Sequence, residues 1–246
     1  MNAAQLPIVI PSMGRASNVS TVSLVDDPIV CVPESEAAQY REHNPDVEVE
    51  AHPDTVVGLP AKREWMYQRW GDLFMVDDDA VALFDVSAAT IQKVGSGDAR
   101  ALIERVYADA CGAGAFLFGL SRTPDPRTYF PNRPFRRTGL VLGGAYGLRA
   151  GSGLWWNKRM MVGEDFWISC LNAHYHRTLW VDTRYAFMFS KTFASTGGLS
   201  LYRTEGSESE ATEILKENFG NVINKKLPTR LVKTMRNNQR ALKIPF

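Results

Sequence analysis

Leu73-Phe74-Met75-Val76-Asp77-Asp78-Asp79 is an uninterrupted apolar run that ends in three adjacent carboxylates. Four apolar residues without polar alternation read as a strand buried on both faces. The aspartates that follow repel one another, and each needs hydration or a counter-charge. A divalent cation removes that conflict, because Mn2+ and Mg2+ prefer carboxylate oxygens and are usually shared with substrate phosphates. In an extended segment alternate side chains share a face, so Asp77 and Asp79 point one way and Asp78 the other, a D-x-D arrangement. The plain alternative is a solvated turn closing a strand. A Walker B acid also follows an apolar strand, but the chain has no G-x-x-x-x-G-K-[ST] phosphate loop, and the glycine and glutamate of an EF-hand loop are missing.

Upstream, residues 6–11 form a short apolar run ended by Ser12-Met13-Gly14-Arg15, a buried strand feeding a loop. Residues 28–32 read as a second buried strand, 35–43 as a helix with Ser35 at its N-cap, and 47–50 as an alternating strand. Leu59–Trp70 reads as a helix entered by Pro60 in its first turn. Strands alternating with helices predict an α/β fold, a Rossmann-like, mostly parallel sheet flanked by helices. Ligands of such sheets bind beyond the carboxyl ends of the strands, which puts Ser12–Arg15 and Asp77–Asp79 on one rim.

Downstream, 99–110 reads as a helix, 115–119 as a strand and 123–137 as a long proline-rich loop. Residues 139–148 are apolar and glycine-rich, and Gly143-Gly144 marks a close backbone approach. Gly163-Glu164-Asp165 opens a helix that runs to about His174, and 179–182 reads as a strand. Gly197-Gly198 lies in a polar loop, and from Ser209 the chain turns helical again.

A chain of 246 residues, 45% apolar, suits one α/β domain with at most an appendage. No apolar run reaches a membrane-spanning length, and the N-terminus has no signal-peptide pattern. Cys31, Cys111 and Cys170 are scattered and odd in number, which fits reduced thiols in a cytoplasmic setting. The net charge is +1, yet the residues from Asn218 onward hold seven basic side chains and no acidic one, leaving −6 on the first 217. That asymmetry points to an anionic partner near the C-terminus. Leu227, Leu231 and Met235 would form a docking stripe, with Arg230 and Lys233 turned outward toward phosphates. A solvated amphipathic helix without a partner would use the same pattern.

Four motifs, in order and at plausible spacing over about 5–205, resemble the GT-A fold glycosyltransferases. They are Pro7-Ile8-Val9-Ile10-Pro11-Ser12-Met13-Gly14-Arg15-Ala16, Gly58-Leu59-Pro60-Ala61-Lys62-Arg63, Phe74-Met75-Val76-Asp77-Asp78-Asp79 and Gly163-Glu164-Asp165-Phe166. Within that fold they are similar to small bacteriophage enzymes associated with TET/JBP-type base oxidation, a group thought to glycosylate hydroxymethylated pyrimidines in phage DNA. The resemblance implies a GT-A domain over 1–208 with a basic helical extension, 209–246, packed on it. It implies a nucleotide diphosphate sugar as donor, Mn2+ or Mg2+ as cofactor and DNA as acceptor, in a phage-infected bacterial cell, with no membrane contact and no protein partner. Pro11, Ser12 and Arg15 would line the nucleoside pocket, and Lys62 and Arg63 would reach the nucleotide or diphosphate. Asp77 and Asp78 would join in donor binding, Asp79 and Asp77 in holding the metal. Glu164 or Asp165 would be the general base. A late histidine often completes the metal site in this fold; His174 and His176 are candidates, and that position stays open.

The chemistry itself asks for positive charge on a leaving diphosphate and a carboxylate to take the acceptor proton. The plain readings are a helix-dipole acid for Glu164 or Asp165 and solvated helix charges for Lys62 and Arg63. Trp155-Trp156-Asn157-Lys158-Arg159 combines stacking rings with cations and could hold a flipped base or a sugar, while core packing is the alternative for at least one tryptophan. Arg136 and Arg137 close an aromatic and arginine-rich stretch suited to a lid or a nucleic-acid contact. Competing functions are sugar transfer to a glycan or protein, a nucleotidyltransferase, and a non-catalytic nucleotide- or DNA-binding module. The first-strand loop is poor in the glycines a nucleotidyltransferase carries there, and a binding module would leave the acidic cluster unexplained.

Overall fold

The structure is a computed structural model that describes residues 5–88, 90–141, 143–190, 204–225 and 240–242. The apolar runs become the centre of a sheet. β1 (Ile8–Pro11) lies between β2 (Ile29–Pro33) and β4 (Leu73–Val76), parallel to both, with Val9 beside Ile29 and Ile8 beside Phe74. α1 (Ala37–His43) and α2 (Leu59–Trp70) flank β3 (Glu48–His52) in the chain, and β3 pairs parallel to β2 at the sheet edge. These βαβ connections put the carboxyl ends of β1 and β4 on the same rim.

The second half adds what periodicity alone does not show. β9 (Ala145–Leu148) inserts antiparallel between β4 and β7 (Leu117–Leu120). Its Gly147 leaves room for the Phe118 ring, which crosses where a Cβ would stand. β10 (Trp180–Asp182) continues parallel to β7, and β8 (Phe135–Arg136), cut from the proline-rich stretch, closes the edge antiparallel to β10. The eight-stranded order is β3-β2-β1-β4-β9-β7-β10-β8. A second, antiparallel sheet joins β5 (Ala80–Asp85) to β11 (Tyr185–Phe189) and β6 (Gln92–Lys93). β5 leaves directly from the acidic turn and β11 returns to it, where the Ser190 amide donates to the Asp79 carbonyl at 2.9 Å.

Helices cover both faces of the large sheet. On one, Ile103 and Val106 of α3 (Ser96–Gly112) pack on Phe74 and Phe118. On the other, Met66 of α2 and Ile168 of α4 (Glu164–Tyr175) pack on Val9, Met75 and Tyr146. α5 (Glu205–Phe219) starts four residues before the expected point, because Thr204 and Ser207 form a capping box. Its Ala211, Ile214 and Leu215 share a cluster with Trp167 and Cys170 of α4. Beyond it the described part of the extension is a 3-10 turn (Gly220–Val222) and two short strands, β12 (Ile223–Lys225) paired antiparallel with β13 (Arg240–Leu242). Ser35 is not an N-cap: a 3-10 turn over Glu34–Glu36 precedes α1, and the Ser35 hydroxyl donates to Asp54 at 2.8 Å. Gly197-Gly198 and the stripe Leu227, Leu231, Met235 lie outside the described residues. Among the described residues no helix is long and apolar enough to cross a membrane.

Candidate active site

The acidic residues form a turn, not an extended segment, and the turn sorts them. Asp78 faces inward at 6% exposure. It accepts from the Ser12 hydroxyl at 2.5 Å and from Arg15 Nη1 at 2.6 Å. With its hydrogen committed to Asp78, Ser12 accepts from the Tyr40 hydroxyl at 2.7 Å, and Tyr40 in turn accepts from the Arg15 amide at 3.0 Å. The loop after β1 and the turn after β4 are thereby one unit. Thr21, fully buried, stitches the turn from outside: its hydroxyl donates to the Asp77 carbonyl at 2.6 Å and accepts from the Ala80 amide at 3.0 Å.

Asp77 and Asp79 keep part of their surface open. Asp77 sits in a recess with 29% of its side chain exposed. Burial pushes its carboxyl up to about 7, with Asp79, Glu164 and Asp78 adding to the rise and Arg63 opposing it. Asp79 is raised too, by burial and then by Asp78, and the Ser190 hydroxyl donates to it at 3.4 Å. Two hard oxygen donors under mutual repulsion suit a divalent cation. Among the described residues no three His, Cys, Asp or Glu side chains converge on a metal position. A cation here would need ligands beyond the Asp77 and Asp79 carboxylates, such as the phosphates of a substrate. His174 and His176 lie at the far end of α4, about 15 Å or more along the helix from Glu164, and His176 Nε2 bonds the Ser152 carbonyl at 2.7 Å.

Lys62 and Arg63 are not solvated helix charges. Lys62 is 5% exposed and its Nζ donates to the Ser12 carbonyl at 2.7 Å. Burial pulls its pKa down to about 8, against the opposing pull of Cys31, Glu36 and Asp78. Arg63 is wholly enclosed. Its Nη2 donates to Asp77 Oδ1 at 2.9 Å and to the Gly143 carbonyl at 2.6 Å, and its guanidinium lies 4.8 Å over the Tyr146 ring. Nε stands 3.7 Å from Glu164 Oε1, an ion pair without a hydrogen bond. Burial works against the charge, but Tyr146, Asp77, Glu164 and Asp165 outweigh it and raise the guanidinium pKa. Neither side chain reaches open solvent: Lys62 holds the loop after β1 and Arg63 holds the acidic turn.

Gly143-Gly144 marks a close approach. A methyl on Gly143 would stand 3.2 Å from Glu164 Oε1 and 3.3 Å from Asp165 Cβ, and one on Gly144 would stand 2.6 Å from the Phe189 ring. The Gly144 carbonyl accepts the Asp77 amide at 2.9 Å. So the glycine pair brings the start of α4 against the acidic turn. Gly163, left-handed at φ 79°, sets the angle at which α4 enters. The two acids then differ. The Glu164 side chain is 7% exposed and faces Arg63, whereas Asp165 is partly exposed.

The two tryptophans separate as well. Trp156 is 2% exposed, edge-on to Tyr67, and is core. Trp155 is 42% exposed, its ring 4.9 Å from Trp167 in the first turn of α4, and the exposed Lys158 and Arg159 follow it. Arg136 turns back into its own loop, donating to the Thr138 and Leu140 carbonyls. Arg137 reaches Thr178 and the Ala113 carbonyl, at the amino ends of β10 and β7 and so at the edge opposite the acidic turn. Arg230 and Lys233 lie outside the described residues. Residue types did not single out Thr21, Tyr40, Ser190 or Tyr146; only their tertiary contacts do.

No curated protein matches this sequence. Among solved structures the chain is similar to S. aureus TarS 1–349, with a TM-score of 0.53 and 9% identity over 88% of this chain and 66% of that one. A second TarS structure gives 0.52 and 8%, over 88% of this chain and 40% of that one. The chain thus spans less than two thirds of these neighbours, and at such identity the likeness speaks for the fold. The model of a family described as TET-Associated Glycosyltransferase matches residues 6–198, a stretch that holds the β1 loop, the acidic turn, the glycine pair and the start of α4. On that match, the chain belongs to the TET-associated glycosyltransferase family.

Proposed function

We propose that this protein transfers a sugar from a nucleotide diphosphate sugar to the hydroxymethyl group of a modified pyrimidine in DNA, with Mn2+ or Mg2+ between protein and diphosphate. The observation that carries the reading is the convergence, around Gly143-Gly144, of the acidic turn with the first turn of α4. It sets carboxylates suited to a cation beside a carboxylate able to take a proton.

The nucleoside lies against the partly exposed Arg15, with the buried Pro11 and Ser12 beneath it, and the Asp78 and Tyr40 bonds to Ser12 and Arg15 hold that loop in place. Asp77 and Asp79 would hold the cation, which when bound would neutralise charge on the departing diphosphate. Asp165, the more exposed acid of its pair, accepts the proton of the acceptor hydroxyl as that oxygen bonds the anomeric carbon and the carbon–oxygen bond to the diphosphate breaks. Glu164, turned to Arg63, supports it. Trp155, with Lys158 and Arg159, offers a ring and two cations to an extruded base and its phosphates.

The test is a screen of nucleotide sugars for hydrolysis with Mn2+, followed by the active donor with hydroxymethylated and unmodified DNA. Transfer should require the hydroxymethyl group, and Asp165→Asn should lower kcat far more than donor affinity. Labelling of a glycan or protein but not DNA would reject the acceptor. A loss confined to donor binding would reject Asp165 as base.

A further inference from the structure

We propose that Arg63 is a positioning residue that locks the acidic turn to the first turn of α4, so that the donor side and the acceptor base are held as one unit. The inference rests on the function proposed above.

Arg63 is 0% exposed, so it acts through its protein partners. Those partners come from three segments remote in sequence: Asp77 in the turn, the Gly143 carbonyl in the glycine pair, and Glu164 in α4. The Tyr146 ring closes one face, and the Met75 sulfur lies 3.8 Å from Nη1. A buried guanidinium that loses a charged neighbour is strongly unfavourable. Any arrangement in which α4 draws back from Asp77 costs the enclosed guanidinium one of its two carboxylate neighbours, so Arg63 penalises separation of the two halves. Its Nη2 donates to two acceptors at once while Nε, at the other end of the flat guanidinium, faces a third group, a spread that a compact lysine ammonium does not reproduce. The absence of a Cβ at Gly143 allows the approach, since a methyl there would press on Glu164 and Asp165.

Arg63→Lys and Arg63→Met are compared with wild type in two measurements. The first is the ratio of transfer onto hydroxymethylated DNA to hydrolysis of the same donor, chosen from UDP-glucose, UDP-N-acetylglucosamine and GDP-mannose with Mn2+. Hydrolysis needs only the donor half, whereas transfer needs both in register, and a 1 Å misplacement lowers a rate by about 100-fold. The ratio should fall in Arg63→Lys and further in Arg63→Met, whereas a loss of folded protein lowers both activities together. The second is amide hydrogen exchange, in which residues 163–168 should lose protection in both variants while α3 keeps it. A wild-type ratio with unchanged exchange at 163–168 would overturn the proposal. If wild type neither hydrolyses a donor nor transfers sugar, the functional reading falls, and the exchange measurement alone then decides the lock.

Discussion

Replacing Gly144 with alanine adds one methyl group at the point where three parts of the site meet. The new carbon would stand 2.6 Å from Phe189 Cζ and 2.8 Å from Cε2. Carbon contacts are comfortable at about 3.5–4.0 Å, so a gap of about 1 Å has to open. Either the Phe189 ring swings or the glycine backbone retreats. Phe189 packs against the main core, and Ser190, the next residue, holds the Asp79 carbonyl at 2.9 Å. The backbone alternative drags the Gly144 carbonyl that accepts the Asp77 amide at 2.9 Å. Both routes displace the acidic turn. Overpacking of this size destabilises by about 1–3 kcal/mol, and a shift of about 1 Å at the reacting groups lowers kcat by about 100-fold. Urea denaturation reads the first effect and donor turnover per folded molecule the second. Undiminished turnover would refute the coupling of the glycine pair to the carboxylates. Gly147→Ala is the contrast: its methyl would meet the Phe118 ring inside the core, so stability should fall while turnover per folded molecule persists.

Asp79→Asn should abolish the rise in melting temperature that Mn2+ produces together with UDP, and a rise equal to wild type would remove Asp79 from the cation site. Burial lowers the Lys62 pKa to about 8 from its ordinary 10.5, so the unfolded chain binds the extra proton between those values. The unfolding free energy of wild type relative to Lys62→Met should therefore climb as pH rises from 8 to 10.5, and a flat difference in urea midpoints would contradict it. Trp156→Ala should destabilise by about 3–5 kcal/mol as a core truncation. Trp155→Ala should leave the denaturation midpoint near wild type and weaken acceptor use, measured as the KM for hydroxymethylated DNA.

What the sequence determined by itself is the frame. β1, β2 and β4 were legible because strands covered on both faces must be apolar throughout. α2 was legible from Pro60 in its first turn, α4 from Gly163 at its start, and the placing of Ser12–Arg15 and Asp77–Asp79 on one rim from parallel connections. What only the tertiary structure decided is how these pieces face each other. The short antiparallel strands β8, β9 and β11 carry little periodicity, and their register depends on distant partners. Glu164 and Asp165 are neighbours of the same type, and packing against Arg63 turns one inward and leaves the other partly open. Arg63 and Gly143 are 80 residues apart, and Ser190 and Asp79 are 111 apart. A local pattern records which side chains must leave water, whereas the pairing of buried charges across such separations is settled only when the chain has closed around them.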